Sequence, residues 1–256
     1  MESNTTLVQC YPTHEAYPEG CGPSPPVLLL HDKFGLTASV RGIANRLARE
    51  GFYTLTPNLY GLCASFADVA PDFMRMGGPS YLDYSDEASA DSFAVGLTDE
   101  RADAIVSQAI AYACGRSHAR GGGIGVFGFS MGGRLAVLAA ANHPEQVRAC
   151  VAVTPEGLAT ADHRKPAALG RAEDIRAPLL LFYGGADKRV PPAERAEVRG
   201  RLTELGKDFS MELFPDVPED FFCSERTTYR IHASKVAWEK TLSFFRQYLG
   251  GVSRSE

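Results

Sequence analysis

Gly128-Phe129-Ser130-Met131-Gly132-Gly133 follows an apolar run, 124–127, and precedes a helical pattern, 134–141. The order is strand, sharp turn, helix. A serine at the centre of G-x-S-x-G in that setting is forced into a strained turn. Small flanking residues let the chain segments pack there, and the hydroxyl stands clear of the sheet. The spacing predicts a nucleophile elbow with Ser130 at its tip. A plain glycine-rich turn would give the same letters, and the flanking strand and helix favour the elbow.

The same region holds Gly123-Ile124-Gly125-Val126-Phe127-Gly128, which matches G-x-G-x-x-G. A dinucleotide fingerprint follows its strand and opens a helix, whereas these glycines precede the strand and run along it. No helix N-terminus would face a pyrophosphate, so NAD is set aside.

A chain of 256 residues with 45% hydrophobic content can bury a full core, and a single domain over 1–256 is expected. The net charge is −5 and the basic residues are scattered, which argues against a nucleic-acid partner. No apolar stretch approaches a membrane span, and Met1-Glu2-Ser3-Asn4 lacks the layout of a secretion signal, so no membrane association and a cytoplasmic location are expected. The six cysteines show no C-x-x-C pair and no zinc spacing with the six histidines. Cys114 and Cys150 fall in apolar patterns and read as small core residues. No metal or cofactor is implied, and a small-molecule substrate and a monomer or homodimer are expected.

Residues 6–26 read as an edge strand or hairpin ending in a Gly/Pro-rich turn. Val27-Leu28-Leu29-Leu30 is a continuous apolar run, as expected of a strand buried on both faces. Further strands are predicted at 52–56, 147–153, 179–183 and 211–214, and helices over 40–49 and 98–113. A closing helix over 229–248 is predicted to bury Ile231, Trp238, Leu242, Phe245 and Leu249. This alternation predicts an α/β fold with a mainly parallel central sheet flanked by helices on both faces. The segment 62–96 carries Phe66, Phe73, Met74, Met76, Tyr81, Tyr84 and Phe93 among acidic side chains. It reads as a candidate lid, or as a surface excursion folded on its own side chains.

Acyl transfer through a serine needs a base to take its proton and an acid to orient that base. Downstream, Leu180-Leu181-Phe182-Tyr183-Gly184-Gly185-Ala186-Asp187 is a strand followed by a turn that presents Asp187, the acid candidate.

Here the chain resembles the dienelactone hydrolase family from Val27 to Leu249. His31-Asp32-Lys33-Phe34-Gly35 is similar to the family's H-E-x-x-G loop, Pro57-Asn58-Leu59-Tyr60-Gly61 to its P-D-L-Y-G, and Gly128 to Gly133 to its G-x-C-x-G-G elbow. The tail from Tyr229 to Phe245 resembles its closing helix. The resemblance implies an α/β-hydrolase fold and a small lactone or ester as substrate. It also implies an oxyanion hole made by the N–H groups of Met131 and Lys33.

Three departures bear on chemistry. Ser130 stands where the founding members use cysteine. Asp32 replaces a glutamate and is one methylene shorter. Asp220-Phe221-Phe222 occupies the H-x-F motif, so an aspartate sits in the slot of the base. His232 reads as a solvated helix residue, and His31 as a residue that shapes its loop or else acts directly at the substrate. If Asp220 faces Asp187, two carboxylates would share a proton and serve in proton transfer. Arg226 and Arg75 are candidates for holding an acidic substrate group, or solvated surface residues. Two readings remain open at this level. One is an enzyme on a lactone, ester or dicarbonyl compound, hydrolytic or else a cyclase, isomerase or lyase. The other is an inactive ligand-binding homologue.

Overall fold

The computed structural model describes residues 1–8, 11–20, 22–60, 81–161 and 165–250. Eight strands form one sheet in the order β1-β2-β4-β3-β5-β6-β7-β8. They are β1 (Glu2–Val8), β2 (Tyr11–Tyr17), β3 (Pro26–Leu30), β4 (Tyr53–Pro57), β5 (Ile124–Phe129), β6 (Val147–Val153), β7 (Leu179–Gly184) and β8 (Phe209–Phe214). The β1–β2 hairpin joins the edge of β4 antiparallel, and every other neighbouring pair is parallel. This is the doubly covered sheet that continuous apolar runs predict, because each such strand must bury both faces.

Six helices cover it among the described residues: α1 (Ala38–Arg49), α2 (Glu87–Gly96), α3 (Asp99–Cys114), α4 (Met131–Asn142), α5 (Pro192–Glu204) and α6 (Ile231–Leu249). Alternate residues of each central strand enter opposite cores. Leu28, Leu30, Val126 and Leu181 pack under α3 and α4, and Val27, Leu29, Phe127 and Val151 pack under α1 and α6. Helices α2 and α5 carry weaker apolar periodicity, and the sequence reading missed both. On α6, Trp238, Leu242 and Phe245 are buried as predicted, but Ile231 is 73% exposed because it opens the helix beyond the edge of the core. Leu249 is only partly buried. Cys150 lies in the core, whereas Cys114 is exposed at the end of α3.

The turn between β5 and α4 sets the architecture of the active end. A Cβ on Gly128 would overlap the carbonyl of Gly132, and a Cβ on Gly132 would overlap the carbonyl oxygens of Leu30 and His31. Helix α4 therefore starts against the end of β3 with backbone touching backbone. Ser130 bridges the two elements at φ 50° and ψ −115°, a left-handed value that costs a non-glycine residue on the order of 1–3 kcal/mol. The Gly132→Ala variant should lose about 3 kcal/mol or more of stability in urea unfolding, because two backbone carbonyls, which cannot move independently, meet the new methyl.

Candidate active site

Three non-glycine residues have positive φ among the described residues: Ser130 (50°), Thr154 (46°) and Asp220 (54°). Two follow the carboxyl ends of β5 and β6, and the third lies in the loop after β8, so local strain is concentrated at one end of the sheet. In open α/β sheets this is where ligands bind. A β-branched threonine at such a φ is a rare outlier, and strain of this kind persists only where the surroundings over-determine it.

Ser130 is 4% exposed and its N–H donates to the Val153 carbonyl at 2.9 Å. A serine at a helix N-cap ordinarily accepts an N–H from the first turn with its side chain. Here no such bond forms, and the hydroxyl instead donates to Glu156 Oε1 at 2.7 Å. Glu156 follows Thr154-Pro155, just beyond β6, and Arg189 Nη1 donates to the same Oε1 at 3.2 Å. The sequence reading missed Glu156 and Arg189. The available signal was a carboxylate three residues past the end of a buried strand, at the end of the sheet where the elbow also emerges.

The oxyanion-hole candidates lie on either side of the elbow. Met131 is the first residue of α4, so its N–H has no carbonyl one helical turn behind it. Among the described residues no acceptor takes the N–H of Lys33. The Tyr60 hydroxyl donates to the Lys33 carbonyl at 3.0 Å and lies 3.7 Å from Met131 Sδ, which fixes the two segments beside each other.

His31 is wholly buried. The Leu59 N–H donates to its Nε2 at 2.9 Å, so Nε2 is the bare nitrogen, and Nδ1–H donates to the Asp32 carbonyl at 2.6 Å. Burial lowers its pKa to about 4. Both ring nitrogens are committed to backbone, so His31 braces the loop. Of the two readings of His31, the geometry matches the one in which it shapes the loop.

Asp187 sits in the turn after β7. Its Oδ1 accepts the N–H groups of Arg189 at 2.8 Å and Val190 at 3.2 Å, while the buried Oδ2 has no partner among the described residues. Burial raises its pKa against those two bonds, with Glu156 and Glu219 adding to the rise. The acceptor that would orient an imidazole is present and undonated.

Asp220 occupies the base slot but does not form the expected proton-sharing pair with Asp187. Its Oδ2 accepts Arg226 Nη2 at 3.0 Å. The carboxyl that responds to it is Asp32: burial, then the charge of Asp220, raises the Asp32 pKa to about 7, against the Phe34 N–H that Asp32 accepts at 2.9 Å. Burial also raises Asp220, opposed by Arg226 and Arg189. Asp32 and Asp220 line a cavity of about 20 Å³ with Phe129, Thr154, Phe222 and Cys223, room for about one water.

Arg226 is spent within the protein. It pairs with Asp220 and with Glu87 at 3.3 Å, and its guanidinium lies 4.8 Å from the Phe34 ring centroid. Arg226 is thus neither a free anion fork nor a solvated surface residue but part of an internal ion pair. Arg75 lies outside the described residues, as does the 62–80 part of the candidate lid. The remainder includes α2, whose Glu87 also pairs with Lys33 and, at 3.9 Å, with Arg189. Lys33 reaches Asp91 on the same helix at 2.6 Å. Beneath α2 lies a cavity of about 390 Å³ whose lining includes Asp91, Ala94, Met131, Glu156, Gly157 and Arg189. Among the described residues no group of His, Cys, Asp and Glu could hold a metal, and no helix is long and apolar enough to cross a membrane.

The model of the family described as "Dienelactone hydrolase family" matches residues 12–249. A Methylorubrum extorquens protein named "Putative carboxymethylenebutenolidase" is 28% identical over 93% of this chain and 77% of its own. An Escherichia coli protein of the same name is 28% identical over 94% and 84%. In structure, a Klebsiella pneumoniae chain described as a "Putative Dienelactone Hydrolase" superposes with a TM-score of 0.83 at 24% identity, covering 96% of this chain and 99% of that one.

The raised Asp32 pKa has a thermodynamic consequence. A carboxyl held near 7 when folded and near 3.8 when unfolded stabilises the folded state most below pH 3.8, and this contribution is lost as pH rises to 7. Asp32→Asn keeps the acceptor for Phe34 and cannot ionise. Its stability relative to the parent should therefore rise by about 2–3 kcal/mol between pH 5 and pH 8 in urea unfolding.

Proposed function

The chain belongs to the dienelactone hydrolase family, and from that premise we propose that it is an enzyme acting on a small lactone, ester or dicarbonyl compound through Ser130. The substrate would occupy the cavity under α2 with its carbonyl oxygen on the N–H groups of Met131 and Lys33. Those donors would stabilise either a tetrahedral oxyanion or an enolate. The observation that carries the reading is the strained backbone of Ser130, which turns the hydroxyl away from capping α4 and toward a carboxylate. A cytoplasmic enzyme working alone or as a homodimer is part of the same proposal.

The histidine of the family pattern is replaced by Asp220, and no imidazole among the described residues hydrogen-bonds Ser130. Hydrolysis on this reading is slow, because a carboxylate is a weaker match for a serine hydroxyl than an imidazole. A second reading is favoured by Asp32, whose pKa of about 7 beside the Asp220–Arg226 pair suits a group that gives and takes protons at neutral pH. On that reading the reaction is a cyclisation, isomerisation or elimination of a bound carbonyl compound, with Asp32 doing the work first assigned to Asp187 and Asp220.

Incubation with a fluorophosphonate followed by intact-mass measurement tests the serine. A single adduct that is lost in Ser130→Ala is the expected result, and a folded protein that takes no adduct would remove Ser130 from the chemistry. Asp220→His tests the base slot. Histidine is among the side chains that tolerate the left-handed φ found there, and it would supply the missing donor to Asp187 Oδ2. Hydrolysis of p-nitrophenyl acetate should rise about 100-fold in that variant.

A further inference from the structure

The contact between Ser130 and Glu156 has no counterpart in the serine, aspartate and histidine pattern. We infer that Glu156 is the proton acceptor of Ser130, a catalytic residue in the place that histidine would take. The inference rests on Ser130 being the nucleophile.

Three observations converge. The first is distance: 2.7 Å from Oγ to Oε1 is a hydrogen bond of the length expected for O–H to carboxylate. Any acceptor of the serine proton must lie within that reach. The second is backbone. Thr154 is held at φ 46° two residues before Glu156, and its N–H donates to Phe182 O on β7 at 2.8 Å. Pro155 then fixes the next φ. The chain leaving β6 is thus bent at an energetic cost, and the bend delivers Glu156 to the elbow. The third is charge. Arg189 donates to the same oxygen, and its own pKa rises despite burial because Glu156 and Asp220 are near. Arg189 is a positioning residue that holds the carboxylate toward the cavity. Glu156 also lines that cavity, together with Met131 and Arg189, so the acceptor has access to the substrate as well as to the serine.

The proton path balances. As Oγ bonds to the carbonyl carbon, the Oγ proton moves to Glu156 Oε1 and the carbonyl π pair moves onto the oxygen facing Met131 and Lys33. Collapse breaks the bond to the leaving oxygen, which takes the proton from Glu156. A water then attacks the acyl carbon and gives its proton to Glu156, which returns it to Oγ as the acyl group leaves. No co-reactant other than water is needed.

The test is the rate of fluorophosphonate adduct formation in the full-length protein, followed by intact mass. In that reaction the Oγ–P bond forms, fluoride leaves and Oε1 takes the proton. Glu156→Gln keeps the shape and can accept the hydrogen bond but cannot take a proton. It should label about 100-fold more slowly than the parent. Glu156→Ala should label as slowly, and added formate should restore part of the rate, an effect that a purely structural role would not show. Unchanged labelling in Glu156→Gln, with Ser130→Ala silent, would overturn the assignment of Glu156 and leave Ser130 as nucleophile. A parent protein that takes no adduct would overturn both.

Discussion

The close approach of α4 to the end of β3 is the constraint on which the active end depends. Gly132 lies against the carbonyls of Leu30 and His31, and Gly128 lies under the carbonyl of Gly132, with no volume left for a side chain at either position. This contact brings the loop after β3, which carries Asp32 and Lys33, beside the first turn of α4, which carries Met131. It also leaves Ser130 with a left-handed backbone that its neighbours enforce. The positions of the oxyanion candidates, of Ser130 and of the Asp32 carboxyl follow from one backbone contact rather than from separate arrangements.

Around that contact the polar groups are assigned so that few charges stand alone. Asp220 is held by Arg226, Glu156 by Arg189 and Ser130, and Lys33 by Glu87 and Asp91. Two carboxyl groups lack a full set of partners, and both shift toward the neutral form. Asp187 has an undonated oxygen, and Asp32 faces the charge of Asp220 across a very small cavity. Burial and the charge of Asp220 act together on Asp32, and burial with the charges of Glu156 and Glu219 acts on Asp187.

Much of this was legible in the sequence where a single local pattern decides the outcome. The continuous apolar strands, the elbow between β5 and α4, and the turn presenting Asp187 each depend on a few adjacent residues. What escaped depended on contacts between distant segments. The apolar stripes of α2 and α5 were too faint to register, and Ile231 continued the stripe of α6 in sequence while lying past the edge of the core in space. The carboxyl that feels the charge of Asp220 is Asp32, 188 positions away (220 − 32), because the loop after β8 folds over the loop after β3. Glu156 belongs to no motif. Its role is visible only once Thr154 adopts a backbone angle that no threonine advertises.

Helix α2 is joined to the rest of the protein in a manner unlike the other helices. It buries only Ala90 and Phe93, and its Glu87 receives Lys33, Arg189 and Arg226, which stand on the loops after β3, β7 and β8. Apolar burial resists separation over the whole contact, whereas these ion pairs join half-exposed or exposed carboxylates to a buried Lys33 and a largely buried Arg226, and their strength falls as salt is added. The wall of the cavity formed by α2 and the core beneath it therefore differ in what holds them, the one chiefly by charge and the other by apolar area. Added salt therefore acts on the attachment of α2 and leaves the packing of the sheet as it is.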